Sequence, residues 1–226
     1  PLYTHPTKGE AFTNYTTFSL WDTYRALHPL LNIIQPTRNR DMVRSMQAHY
    51  DQSVHKMLPV WSHYANENWC MIGYHSVSVI SDAIVSGNLT GSEAVRALEA
   101  SAQTARTKYY DGLEHYITLG YVPEDKNSSS VSKTLEYAYD DWCIAQMAKI
   151  LGKKEDYQYF MKRSQNWKNI FDWETGFMRP KKNGGWDKPF DPREVNNNFT
   201  EGNSWQYSFF VPQDIEGMIQ AYGGKE

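Results

Sequence analysis

Pro36-Thr-Arg-Asn-Arg-Asp-Met-Val-Arg-Ser-Met-Gln-Ala-His-Tyr-Asp-Gln-Ser-Val-His-Lys-Met57 sets Val43, Met46, Tyr50, Val54 and Met57 three or four residues apart. That spacing gathers the five apolar side chains on one face of an α-helix. The same period returns along the chain. Trp69, Ile72, Gly73, Ser76, Ile80 and Ile84 repeat it, and Gly87-Asn88 reads as the stop. Thr90 and Glu93 have the spacing of a capping box for a helix through Val95, Leu98, Ala102 and Ala105. Leu135, Ala138, Trp142 and Ala145 carry a further helix, begun by the serines 128–130 and ended at Gly152. A shorter one is expected over Tyr157 to Ile170, and a last one from near Pro212.

No alternating strand pattern competes with these, apart from a short extended piece at Phe177 to Arg179. The fold class expected is therefore all-α, with about seven or eight helices as antiparallel hairpins. Part of an (α/α)6 toroid fits this best. A helical solenoid is the alternative, although no exact repeat of roughly 20 to 50 residues is visible. Asp172 to Ser204 breaks the helical pattern with Gly, Pro and Asn, and so long an irregular loop inside a domain usually carries function.

Composition narrows the chemistry. The chain has 226 residues, 40% hydrophobic and 15% aromatic, with 8 Trp and 16 Tyr, enough for a real core. Such aromatic content suits a cleft for ring-shaped ligands, and equally a well-packed interior. A net charge of −3 without a basic stripe argues against nucleic acid as a partner. No apolar run approaches membrane-spanning length, and the opening Pro1-Leu-Tyr-Thr-His-Pro-Thr-Lys-Gly-Glu-Ala-Phe12 is not a signal peptide. Cys70 and Cys143 each fall in an apolar helical pattern, so two buried thiols are expected rather than a disulfide. Zinc-type ligand spacing, phosphate loops and nucleophile elbows are absent.

Four segments are richer in polar and aromatic residues than packing requires. In Phe18-Ser-Leu-Trp-Asp-Thr-Tyr-Arg25, Asp22 and Arg25 lie three apart and would share a helix face, to grip sugar hydroxyls or simply each other. In Trp61 to His75, Glu67 stands ahead of the periodic run, where it would favour a helix N-terminus. His75 lies on the side away from the apolar stripe, where a hydrogen-bonded structural role outweighs a ligand role. Glu136 and Asp140 are four apart, so either an acid/base pair or, more simply, a solvated face is expected. The fourth segment is Phe199-Thr-Glu-Gly-Asn-Ser-Trp-Gln-Tyr207. Glu201 there is followed by a glycine that permits close backbone approach and is flanked by Phe199, Trp205 and Tyr207. A carboxyl packed among those rings would be desolvated and kept protonated, as a general acid requires.

Taken together, Tyr15-Thr-Thr-Phe-Ser-Leu-Trp-Asp-Thr-Tyr-Arg-Ala-Leu-His-Pro-Leu-Leu31, Trp69-Cys-Met-Ile-Gly-Tyr-His-Ser76, Leu135-Glu-Tyr-Ala-Tyr-Asp-Asp-Trp-Cys143 and Glu201-Gly-Asn-Ser-Trp-Gln-Tyr-Ser-Phe-Phe-Val-Pro212 resemble the exo-α-mannosidases of glycoside hydrolase family 92. The resemblance runs through essentially the whole chain. It implies an (α/α)6 toroid and calcium-dependent, inverting hydrolysis of terminal α-linked mannose, often α-1,2-linked, from glycans. Glu201 matches the family's general acid and Asp22 a residue that contacts mannose. Trp205, Glu67, His75 and Arg25 are carried over as substrate-binding candidates.

The resemblance also implies that residues 1–226 are part of a helical catalytic domain. An N-terminal β-sandwich and the rest of the toroid, with the general base and most calcium ligands, are expected outside them. On that expectation this chain alone has an acid without a base and is inactive, and no metal site of its own is assigned. Family members act outside the cytoplasm, so a secreted, periplasmic or cell-surface location is implied. The alternative to an enzyme is a noncatalytic sugar-binding or helical scaffold fragment, which would keep the aromatics and Asp22 without needing a desolvated Glu201.

Overall fold

The structure is a computed structural model that describes residues 12–63 and 66–224; the first eleven residues, read above as no signal peptide, lie outside the described residues. The chain forms two compact units. The first comprises residues 1–105 and 143–158, and the second 106–142 and 159–226.

The first unit holds α1 (Leu20–Thr23), α2 (Leu27–Ile34), α3 (Pro36–Gln52), α4 (Ser76–Val85) and α5 (Gly91–Thr104), with a short antiparallel pair, β1 (Ser62–His63) and β2 (Asn66–Glu67). Helices α2 to α5 pack on one another around Val43, Met46, Ile80, Ala97 and Leu98. Pro36 opens α3, where its missing N–H costs nothing and its fixed φ suits a first turn. The helix stops at Gln52 because Ser53 turns extended, so Val54, the next member of the apolar series, is left exposed. A second boundary differs in the same way. The expected helix from Trp69 begins at Ser76, since Trp69 (φ +61°) and Gly73 (φ +81°) adopt left-handed backbone that no α-helix accommodates.

Polar groups also join these helices. The buried chain His28 Nδ1···Asn39 Oδ1 (2.9 Å) and Asn39 Nδ2 to Asn32 Oδ1 (2.8 Å) continues from Asn32 Nδ2 to Asp82 Oδ2 (2.5 Å), joining α2, α3 and α4. Glu93 does not close a capping box with Thr90. Its carboxylate is taken instead by Arg44 Nε (2.6 Å) and by Arg40, both on α3. Charge pairing across helices displaced the local cap.

The second unit holds α6 (Leu113–Leu119), a 3₁₀ turn (Asn166–Asn169), α9 (Ser204–Tyr207) and α10 (Ile215–Ala221). It also has two antiparallel pairs: β3 (Phe171–Asp172) with β4 (Phe177–Met178), and β5 (Lys181–Lys182) with β6 (Gly185–Trp186). The first twelve or so residues of α7 (Ser130–Ile150) and the end of α8 (Lys154–Arg163) belong to it as well. Its core gathers Val131, Leu135, Trp167, Phe171, Met178, Phe199, Tyr207 and Val211. The extended piece foreseen at Phe177 is β4. The irregular stretch around it is ordered by Arg179, which pairs with Asp172 (2.9 Å), donates to the Asp187 carbonyl (2.8 Å) and lies 4.7 Å over Phe190.

Among the described residues ten α-helices occur, against the seven or eight expected; setting aside the four-residue α1 and α9 leaves eight. Two further expectations fail. Glu136 and Asp140 do not form a solvated face: they are 1% and 0% exposed, because α7 is enclosed on nearly every side. Asp141 beside them is buried too, held by Arg163 Nε and the Tyr116 hydroxyl at 2.8 and 2.9 Å. Burial, together with that carboxylate, pushes the Tyr116 phenol well above its usual range. Cys70, expected buried, is exposed, since it precedes α4 rather than lying in it; Cys143 is buried and no disulfide joins them.

Candidate active site

In the first unit the structure brings Asp22, Arg25, Glu67 and His75 onto one scaffold. Glu67 is its pin. Its carboxylate accepts the backbone N–H groups of Val60 (2.5 Å), Trp61 (2.9 Å), Asn68 (3.1 Å) and Trp69 (3.1 Å). Four donors on one anion fold the chain tightly around it, and they allow the left-handed Trp69. The helix-dipole role expected of Glu67 is thus replaced by a backbone clamp, because no helix begins beside it.

From that clamp the order passes to α1. The Val60 carbonyl accepts the N–H of Leu20 (3.0 Å), and Tyr24 stacks on His75 at 4.0 Å with the rings 10° apart. His75 is fully buried and stands just before α4. Gly73 is required beneath it, since a Cβ there would come within 2.4 Å of the imidazole. Arg25 lies 4.9 Å over both Trp21 and Tyr24 and donates to the Trp21 carbonyl at 3.0 Å. Asp22 itself is exposed on α1. Tyr24, which reading by charge spacing passed over, is the ring that joins Arg25 to His75. Its place between the two charged members of the motif was the available signal.

In the second unit Glu201 and Trp205 flank the start of α9. Asn203 caps that helix through a reciprocal pair: its side chain accepts from Gln206 N (3.2 Å), and Gln206 Oε1 accepts from Asn203 N (3.0 Å). Trp205 is half-exposed, edge-on to Phe177 at 4.9 Å. Gly202 permits the close approach expected of it, for a Cβ would meet Gln206 Oε1 at 2.8 Å and the Tyr207 ring at 3.1 Å.

Glu201 adopts φ +50° and is exposed, and among the described residues its carboxylate takes no hydrogen bond. The desolvation expected from its neighbours is not supplied by them. Phe199 and Tyr207 turn into the core, leaving the acid outside the apolar cluster. What the arrangement offers is a carboxyl group on rigid backbone, open to a ligand.

Calcium is implied by the resemblance. Among the described residues no three His, Cys, Asp or Glu side chains converge to hold a metal ion. No helix among the described residues is long and apolar enough to cross a membrane.

Comparison with known proteins places these motifs. The family described as the glycosyl hydrolase family 92 catalytic domain matches residues 2–226. A family GH92 α-mannosidase of Bacteroides thetaiotaomicron superposes with a TM-score of 0.91 at 54% identity, over 95% of this chain and 29% of that one. A GH92 inverting mannosidase of the same bacterium gives 0.88 at 37% identity, over 93% of this chain and 29% of that one. An uncharacterized secreted glycosidase of Arthroderma benhamiae is 29% identical in a 192-residue alignment that covers 68% of this chain and 25% of that protein. The chain therefore spans under a third of the length of these relatives. Its helical content is that of the toroid portion expected, and with the family match extending from residue 2 to residue 226, the chain belongs to glycoside hydrolase family 92.

Proposed function

We propose that this chain contributes to the hydrolysis of terminal α-linked mannose, α-1,2-linked by preference, with inversion at the anomeric carbon and dependence on calcium. Glu201 is the general acid. Its proton passes to the glycosidic oxygen as the C1–O bond breaks. A second carboxylate takes a proton from water, whose oxygen bonds to C1 on the opposite face and gives β-mannose and a free alcohol. The two carboxyl groups of such a pair stand roughly 6.5–9.5 Å apart to admit the water. Asp22 and Trp205 are the sugar-contacting groups of their respective segments. Arg25, His75 and Glu67 hold the backbone and rings from which Asp22 projects.

The observation that carries this reading is an exposed glutamate on clamped backbone within the motif that matches the family's acid. One Bacteroides relative was solved in complex with mannoimidazole and another is described as inverting, which support the substrate and the stereochemistry. The secreted fungal relative supports action outside the cytoplasm.

The test uses the complete gene product and a mannosyl disaccharide. The first-formed sugar, followed by NMR, is expected to be β-mannose; chelation should abolish turnover and calcium restore it. Glu201→Gln should lower kcat about 10²–10⁴-fold. Turnover that survives this substitution nearly intact would remove Glu201 from the acid role.

A further inference from the structure

The backbone that carries Glu201 is held by two side chains to which the reaction above gives no part. Thr200, the residue before it, has its N–H bonded to Ser132 Oγ at 2.9 Å and its carbonyl bonded to the Tyr207 hydroxyl at 2.6 Å. Ser132 is fully buried on α7, and Tyr207 is 9% exposed at the end of α9. The turn just upstream is tied to the same first turn of α7: the Asn198 carbonyl accepts from Val131 N (3.1 Å), and Asn198 Oδ1 accepts from the Ser130 hydroxyl (2.9 Å). Downstream, the Asn203–Gln206 capping pair begins two residues after the acid. Only Glu201 and Gly202 thus lie between two anchored points, and of the two Glu201 takes the left-handed φ that a side-chain-bearing residue avoids at a cost of about 1 kcal/mol.

We infer that Ser132 and Tyr207 are positioning residues for the acid, acting through Thr200; this rests on Glu201 being the general acid. With its N–H and C=O both bonded to buried groups, Thr200 cannot turn about its own axis. The peptide plane entering Glu201 is therefore set, and with it the direction in which the carboxyl leaves the backbone. Buried hydroxyls ordinarily find some partner, so two hydrogen bonds alone would signify only packing. Here both converge on the one residue that precedes a strained, exposed carboxyl. Proton transfer to a leaving oxygen is sensitive to displacement of the acid by about 1 Å, which makes such anchoring consequential for the rate.

The inference is separated from simple packing by changing the leaving group. A mannosyl disaccharide expels an alkoxide and needs the proton; a dinitrophenyl α-mannoside expels a stable phenolate and does not. In the complete gene product, Tyr207→Phe and Ser132→Ala are each expected to lower kcat/KM for the disaccharide about tenfold and for the activated mannoside about twofold or less. Turnover of the activated mannoside also shows that the variant is folded. Should Ser132→Ala not fold, Tyr207→Phe, which keeps the ring, decides the matter. Equal losses on both substrates, or no loss on the disaccharide, would overturn the inference. Glu201→Gln is measured alongside. If it too fails to distinguish the substrates, the acid assignment is what falls. If it spares the activated mannoside while Tyr207→Phe does not, positioning alone is refuted.

Discussion

Glu67 and Glu201 make an instructive pair. Both lie outside any helix, both have a tryptophan within four residues, and both fall in the span that matches the family. Yet Glu67 is consumed by its own backbone, receiving four N–H groups within ten residues, whereas Glu201 is exposed and its backbone is held by others. One carboxylate makes structure; structure is made around the other. A glutamate's role is therefore told by where its lone pairs are spent, and type and neighbourhood in sequence do not reveal it.

Stability measurements test that contrast most directly. Glu67→Ala leaves four backbone donors without their anion and is expected to destabilise the fold by about 2–4 kcal/mol. Glu201→Ala should change stability by no more than about 0.5 kcal/mol. Urea titrations that returned similar losses for the two would erase the distinction.

A smaller effect concerns the wall beside Glu67, where His49, Ser53 and His55 line a cavity of about 180 Å³ with it. Burial, and then the neighbouring His55, bring the His49 pKa down from 6.5 to about 4. Between those values the unfolded chain takes up a proton that the folded chain refuses. Stability contributed by neutral His49 is thus present above pH 6.5 and lost as pH falls towards 4. Up to about 3 kcal/mol is expected across that window. His49→Gln should flatten this part of the stability profile, and an unchanged slope would contradict the assignment.

The smallest effect sharpens the other side of the pair. Asn203→Ala removes the cap next to Glu201 and should cost about 1 kcal/mol. Faster amide exchange at Gln206, with Glu67's clamp untouched, would show that the two glutamates are held independently.

The helices were legible because their cause is local. Apolar residues three or four apart report a 3.6-residue period whatever lies elsewhere, and six of the eight longer helices were read from it, α2 and α6 being missed. The motifs around Asp22, Glu67, His75 and Glu201 were legible as well, as strings. Helix ends were less so: Gln52 and Ser76 are boundaries set by backbone that turns extended or left-handed, which an apolar stripe does not register. Glu93 looked like a cap and became an ion-pair partner of α3, about fifty residues away. Glu136 and Asp140 looked solvated and are enclosed.

By itself, then, the sequence determined the helical class, the family and which residues are candidates, all of which depend on pattern over short spans. The tertiary structure decided the use of each candidate. Thr200 meets Ser132 across 68 positions and Asn32 meets Asp82 across 50. Those hydrogen bonds form only once separate helices have packed, so whether a carboxyl is buried, clamped or offered to a ligand is a property of the folded chain.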